Sequence, residues 1–287
     1  MWRDNTTQLP ESLNITDTHL HCWQLGRFDY AWLSPDNPTL YQDRMPDDVR
    51  SSMNDCEVSH AVLVQAAGTP EEIPWMIGLC QEYNFLSGVV GYIDLANPHA
   101  PTLMAGFARD QRFKGIRLNL PFAPRQRQLI DSSLTALGQI GLSCDLLMSA
   151  IHLPLAIDII QAHPETTFIL DHFTGHRLRI GGSDDYADAI RALVPLQNAH
   201  IKISGFLTAN DHIPLFTMAQ TLSEYIDESA NLLGSDRLLY GSDWPICTRV
   251  ADYQDTVRTL LQAIKNWPAS DRDMILRGTA RRVYKLL

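Results

Sequence analysis

Ile15–His21, which reads ITDTHLH, decides how the rest of the chain is read. The pattern predicts a short β-strand whose far end carries His19 and His21. Side chains alternate faces along a strand, so residues two apart share one. His19 and His21 are therefore expected to aim into one cavity, with Asp17 two residues deeper on the same face. Two imidazoles held in this way can grip a divalent metal or polarise a carbonyl oxygen. The same three letters, His-x-His, also describe two polar residues at an exposed strand end. The rhythm of the remaining chain favours the first reading.

Downstream, short apolar runs alternate with helical patterns. Strands are expected at 60–65, 86–95, 113–120, 142–148, 167–173, 200–205 and 238–243. Helices are expected at 71–83, 101–110, 128–140, 153–163, 184–196, 216–233, 252–264 and 270–284, after an earlier one opening at Met45-Pro46. With the opening strand this makes eight β segments, each followed by a helix. Near-continuous apolar strands are what a sheet covered on both faces requires, and alternation with helices implies parallel pairing. Eight such units in roughly 250 residues is the size of a (β/α)8 TIM-type barrel. An open doubly wound sheet is the competing α/β architecture, but no glycine-rich phosphate loop follows the first strand. No linker or low-complexity stretch divides residues 1–287, so one domain is expected. After strand 1 comes a long aromatic loop containing Trp23, Phe28, Tyr30, Trp32 and Tyr41. Most of its aromatics are expected to form a small core of their own, with Trp32 free to serve as a substrate wall.

In such a barrel the chemistry sits at the carboxyl ends of the strands. Polar groups there are His19 and His21 on strand 1, Arg117 and Asn119 on strand 4, Asp171 and His172 on strand 6, and Ser242 and Asp243 on strand 8. Their concentration at one rim is the second sign of a site. Asp17 is read as structural. Arg117 either bridges buried layers or turns its fork toward a carboxylate or polarised carbonyl.

The formal net charge is −10, with no Lys/Arg-rich run, which argues against nucleic acid and anionic membrane surfaces as partners. A small-molecule substrate is the expected partner, with self-association allowed. Five scattered cysteines with no Cys-x-x-Cys pair do not make a disulfide framework, and Cys144 and Cys247 lack an evident His/Asn pairing. Residues 1–14 are polar, without an apolar signal core, and a cytoplasmic location is expected.

Together, DTHLHCW, FDYAWL, KGIRLNL, ILDHF, IKISG and YGSDWPICTRVADY, spanning about residues 15 to 255, resemble the amidohydrolase superfamily. Within it they are most similar to the branch holding sugar-lactone and dicarboxylate lactonases. FDYAWL and ICTRVADY lie closer to the sugar-lactonase side. The resemblance implies a hydrolase that opens a small lactone, with Asp243 as general base and acid. His172 and Arg117 would assist catalysis, and Arg117, Asn119 and Trp32 would bind substrate. It implies that His19, His21, His172 and Asp243 hold one divalent ion such as Zn²⁺, or act without one. Strand 4 carries Arg117 where binuclear members carry a bridging residue, and strand 5 ends without a histidine, so no two-metal centre is expected. The alternatives are a single-metal decarboxylase of a small unsaturated or aromatic acid, and a ligand binder without activity.

Overall fold

The computed structural model describes residues 13–286, so the polar stretch at the N-terminus lies almost wholly outside the described residues. Eight parallel strands run in chain order: β1 (Ile15–Leu20), β2 (Val58–Val64), β3 (Leu86–Gly91), β4 (Phe113–Asn119), β5 (Ser143–Leu147), β6 (Thr167–Leu170), β7 (Ala199–Ile203) and β8 (Leu238–Tyr240). The last strand returns to the first. Leu20 bridges Trp244 in parallel, Thr18 Oγ1 donates to the Tyr240 carbonyl at 2.5 Å, and the Asp243 amide donates to the His19 carbonyl at 2.8 Å. The expected (β/α)8 barrel is what the chain forms.

The helices between strands are α1 (Pro46–Asp55), α2 (Glu72–Glu82), α3 (Ala100–Phe107), α4 (Arg127–Gln139) and α5 (Leu153–Ala162), followed by Asp184–Leu193, Leu215–Leu233 and Tyr253–Ala263. Their apolar faces bury against the outer side of the strands, so the main core is the layer between barrel and helices. Among the described residues no helix is long and apolar enough to cross a membrane. The five cysteines are unpaired.

Several strands are shorter than their apolar runs, and the reason is local. β6 was expected to reach residue 173 but stops at Leu170, because His172, Phe173 and Thr174 all take left-handed backbone angles (φ 54°, 53° and 57°). A strand cannot continue through such angles, and for non-glycine residues they are strained. β8 ends at Tyr240 instead of 243, and Asp243 again has positive φ (61°). The last expected helix, 270–284, is two short helices, Ala269–Asp273 and Thr279–Val283, on either side of a wide turn at Met274–Gly278.

Inside the barrel an apolar layer of Val62, Val64, Val90, Ile169 and Leu239 is met from below by Val283 and Tyr284 near the C-terminus. Above that plug the lining turns polar. Tyr284 Oη donates to Asp145 Oδ2 at 2.7 Å, and Lys202 Nζ lies 2.5 Å from the same oxygen.

Candidate active site

β1 delivers His19 and His21 to the carboxyl end of the barrel, both buried. Asp17, two residues deeper, turns its carboxylate toward the neighbouring β8 end. It accepts from the Ser242 amide at 2.8 Å, the His19 amide at 3.1 Å and Tyr253 Oη at 3.1 Å. It therefore closes the barrel and does not face the cavity. Close approach of β8 to β1 needs a bare backbone: a Cβ on Gly241 would fall 2.5 Å from His19 Cβ.

The polar ends of four strands converge. His19 Nε2 and His21 Nε2 are 3.2 Å apart, and Asp243 Oδ1 lies 3.6 Å from the first and 3.5 Å from the second. His172 enters from β6; one atom each from His19, His172 and Asp243 fall within 4.8 Å of one another. The left-handed turn at 172–174 aims this imidazole, and Ser204 Oγ meets its Nδ1 at 2.9 Å. Gly205 (φ 64°) has to be bare, since a Cβ there would lie 2.6 Å from His172 Nδ1.

These contacts set the proton positions. The Val64 carbonyl accepts from His21 Nδ1 at 2.8 Å, which leaves a lone pair on Nε2. His19 Nδ1 faces Asp171 Oδ1 at 3.5 Å, which turns its Nε2 lone pair to the same spot. With Nδ1 carrying the proton on both rings, two imidazole lone pairs and a carboxylate oxygen face one point. Such an arrangement repels itself unless a cation sits among them. For metal–donor bonds of 2.0–2.1 Å in a tetrahedral shell, the donors stand about 3.3 Å apart. The triangle of 3.2, 3.5 and 3.6 Å is close to that edge length, so the residues present fit a single ion of the zinc type.

Charge follows burial. Burial pulls His19 well below the ordinary imidazole range, Lys202 adding to the effect while Asp171 opposes it. Burial likewise lowers His172. For Asp243 burial favours the neutral acid, but His172, His21 and His19 outweigh it and hold the carboxyl at about 2. Burial also works against the Asp171 carboxylate, yet Lys202, with His19 and Arg117, keeps it well below the usual range. Asp145 goes the other way, lifted by burial to about 6 even though Lys202 lies against it.

The cavity over these groups has a volume of about 980 Å³. Among the described residues Arg117 is its only cationic lining residue, against Asp243, Asp29 and Glu71. Arg117 makes the buried ion pair that the sequence allowed, and it also borders the cavity. Its Nε lies 3.3 Å from Asp171 Oδ2, bridging buried layers, while the residue itself lines the cavity. Asn119 and Trp32 line it as well. The aromatic loop divides: Trp23 and Tyr30 are buried in a cluster with Leu40, Ala66 and Ala67, whereas Trp32 is 46% exposed, edge-on to Trp23, with Nε1 donating to the Ala66 carbonyl at 2.8 Å.

Sequence reasoning missed the charged layer beneath the rim. Asp145 and Lys202 are fully buried in the middle of β5 and β7, and Lys202 Nζ also lies 3.1 Å from Asp171 Oδ1. The signal was present. A carboxylate inside LSCDLLM and an ammonium inside HIKISG are out of place in strands covered on both faces.

A family model described as amidohydrolase matches residues 16–286. An L-fucono-1,5-lactonase of Burkholderia ambifaria is 28% identical over 244 residues, 83% of each chain. Its counterpart of Burkholderia multivorans is 28% identical over 284 residues, 94% of this chain and 95% of that one. A crystal structure of an amidohydrolase from Burkholderia multivorans with bound zinc aligns at a TM-score of 0.85 and 24% identity, over 95% of this chain and 99% of that one. At that identity the likeness speaks for the fold. The family match, which runs from β1 through the C-terminal helices, goes further: this chain belongs to the amidohydrolase family.

Proposed function

We propose that the chain hydrolyses a small lactone, and that the lactone is a neutral sugar (aldono-) lactone. The observation that carries this reading is Asp243 set 3.6 Å from His19 and 3.5 Å from His21 beneath a cavity bordered by the Arg117 cation. Two of the relatives above are L-fucono-1,5-lactonases, which supports the same class of substrate. A dicarboxylate would have to enter a cavity whose lining carries Asp29, Glu71 and Asp243 against Arg117 alone. A neutral polyhydroxy ring meets no such repulsion. Its hydroxyls find Asn119, Gln65, Thr69 and Tyr92, and its flat face finds Trp32.

His19, His21 and Asp243 would hold a divalent ion, with His172 beside them, and such an ion would polarise the ring carbonyl. Asp243 takes a proton from the attacking water. In the tautomer in which Ser204 donates to His172 Nδ1, Nε2–H is left to stabilise the oxyanion, and the Arg117 guanidinium adds to that field. The acyl carbon–oxygen bond of the ring then breaks, and Asp243 returns its proton to the departing alkoxide. Water is thereby added across one ester bond, and the hydroxy acid formed releases a proton to solvent. One acid/base residue serves both halves of the reaction.

The test is acid release in a pH-indicator screen of neutral aldonolactones and of a pyrone dicarboxylate, each run with and without chelator. Turnover confined to the neutral series is expected. Carbon dioxide release from a phenolic or unsaturated acid, with no lactone opened, would replace hydrolysis by the lyase reading.

A further inference from the structure

Glu72, on the first turn of α2, is completely buried. Its Oε1 and Oε2 accept from the Ala66 amide at 3.2 and 3.1 Å, and Oε2 accepts from the Ala67 amide at 3.0 Å. The same few residues hold the cavity in two other directions. The Val64 carbonyl takes His21 Nδ1 and the Ala66 carbonyl takes Trp32 Nε1, each at 2.8 Å. Gln65, Ala66, Gly68 and Thr69 line the cavity themselves. One carboxylate thus fixes the stretch from which an imidazole and the aromatic wall both hang.

The surroundings make this an expensive way to hold a loop. The cluster on that side is Trp23, Tyr30, Leu40, Ala66 and Ala67. The titratable groups that feel the Glu72 charge are Cys22, just after β1, and Tyr30, in the aromatic loop. Burial pushes the first well above the ordinary thiol range and the second to about 12, so neither changes charge near neutral pH. Burial lifts Glu72 itself to about 8, although the Ala67 and Ala66 amides pull the other way. For packing alone, an apolar side chain of similar volume would serve as well or better.

We propose that Glu72 is a positioning residue for substrate binding: by clamping Ala66 and Ala67 it fixes where Trp32 stands over the cavity and so sets how tightly the substrate ring is held. The kinetic consequence rests on the lactone reading, but the clamp does not depend on what is turned over. Hydrogen bonds to an ionised acceptor are about twice as strong as those to a neutral one. The clamp therefore tightens when Glu72 loses its proton, and the surroundings of Trp32 change with it.

Tryptophan emission of the purified protein, followed from about pH 6 to about pH 10, reads the clamp directly through that ionisation. A transition near pH 8 is expected in the wild type, and it disappears in both W32F and E72Q. With a lactone that the wild type opens, assayed on the alkaline side of that transition, E72Q raises KM by about 5- to 10-fold, the difference between a charge-assisted hydrogen bond and a neutral one, while kcat stays within about twofold. A transition that persists in E72Q, or an E72Q protein with wild-type KM, assigns Glu72 to packing and overturns the proposal. Absence of any Trp32-dependent transition in the wild type overturns it without a Glu72 variant, should E72Q not fold. If no lactone is opened at all, the hydrolysis reading falls by itself and the emission titration still decides the clamp.

Discussion

Arg117 Nε stands 3.3 Å from Asp171 Oδ2, and through this pair the cavity is tied to a buried layer of charge. Asp171 also faces Lys202 Nζ at 3.1 Å, and Lys202 reaches Asp145 Oδ2 at 2.5 Å. Two carboxylates and two cations from β4, β5, β7 and the end of β6 therefore balance one another where a barrel of this type usually stacks Val, Ile and Leu. The layer holds Asp171 beside His19, while Arg117 itself borders the cavity.

Such a balance is fragile to the loss of one member. K202M removes the ammonium shared by Asp145 and Asp171 and leaves two buried carboxylates without their main partner. A loss of roughly 3–5 kcal/mol in unfolding free energy is expected, measured by urea denaturation. The double variant K202M/D145N removes one carboxylate as well and recovers part of that loss. Equal stability of the single and double variants would mean that the two groups are not coupled.

Asp243 is expected to carry the proton transfers and to help hold the ion, so D243N keeps the side chain's shape while removing both the base and an ion ligand. A fall in kcat of about 10²- to 10⁴-fold, with Tm within a few degrees of the wild type, is the expected outcome for loss of a general base. R117K tests a different property. It keeps the charge but loses the Nε contact to Asp171 and the fork, and kcat/KM should drop by about 10-fold or more. A D243N enzyme that retains wild-type kcat would remove Asp243 from the chemistry.

The facing lone pairs of His19 and His21 lead to a metal prediction that does not need activity. Metal-free protein titrated with zinc is expected to take up one equivalent per chain, read by atomic absorption after dialysis. H21N and D243N should abolish that uptake. D171N should weaken it by about 10- to 100-fold, as loss of an orienting partner does. Two equivalents at the same site, or none, would contradict the single-ion reading.

What was legible in the sequence was whatever follows from periodicity. Apolar runs such as HAVLVQ and TFILDHF announce strands covered on both faces, and eight of them with intervening helices leave few architectures open. The rim residues His19, His21, Arg117, Asn119, His172 and Asp243 were legible for the same reason, because strand ends are predictable once strands are. Asp145 and Lys202 fall outside that rule, since both lie in strand interiors. The clamp by Glu72 could not be read at all. A glutamate on the first turn of a helix is expected to be solvated and to favour the helix dipole, and only the fold shows that this turn is packed against the aromatic loop. The left-handed turn at 172–174 was hidden too, because His, Phe and Thr carry no local signal for positive φ.

His200 offers a pH prediction well away from the cavity. It sits on β7, buried, with Nδ1 3.3 Å from the Phe168 carbonyl and Nε2 3.4 Å from Arg282 Nη2. Burial, with Arg282 alongside, lowers it from 6.5 to about 4. Between those two values the unfolded chain binds a proton that the folded chain refuses. Unfolding therefore takes up a proton, and stability falls as pH drops from 6.5 toward 4. Integrated over the window, this one group accounts for up to about 3 kcal/mol. H200N removes the titration, so its unfolding free energy, measured in urea on both sides of the window, should decline less steeply with acid than that of the wild type. Parallel declines in the two proteins would show that His200 is protonated as easily in the folded chain as in the unfolded one.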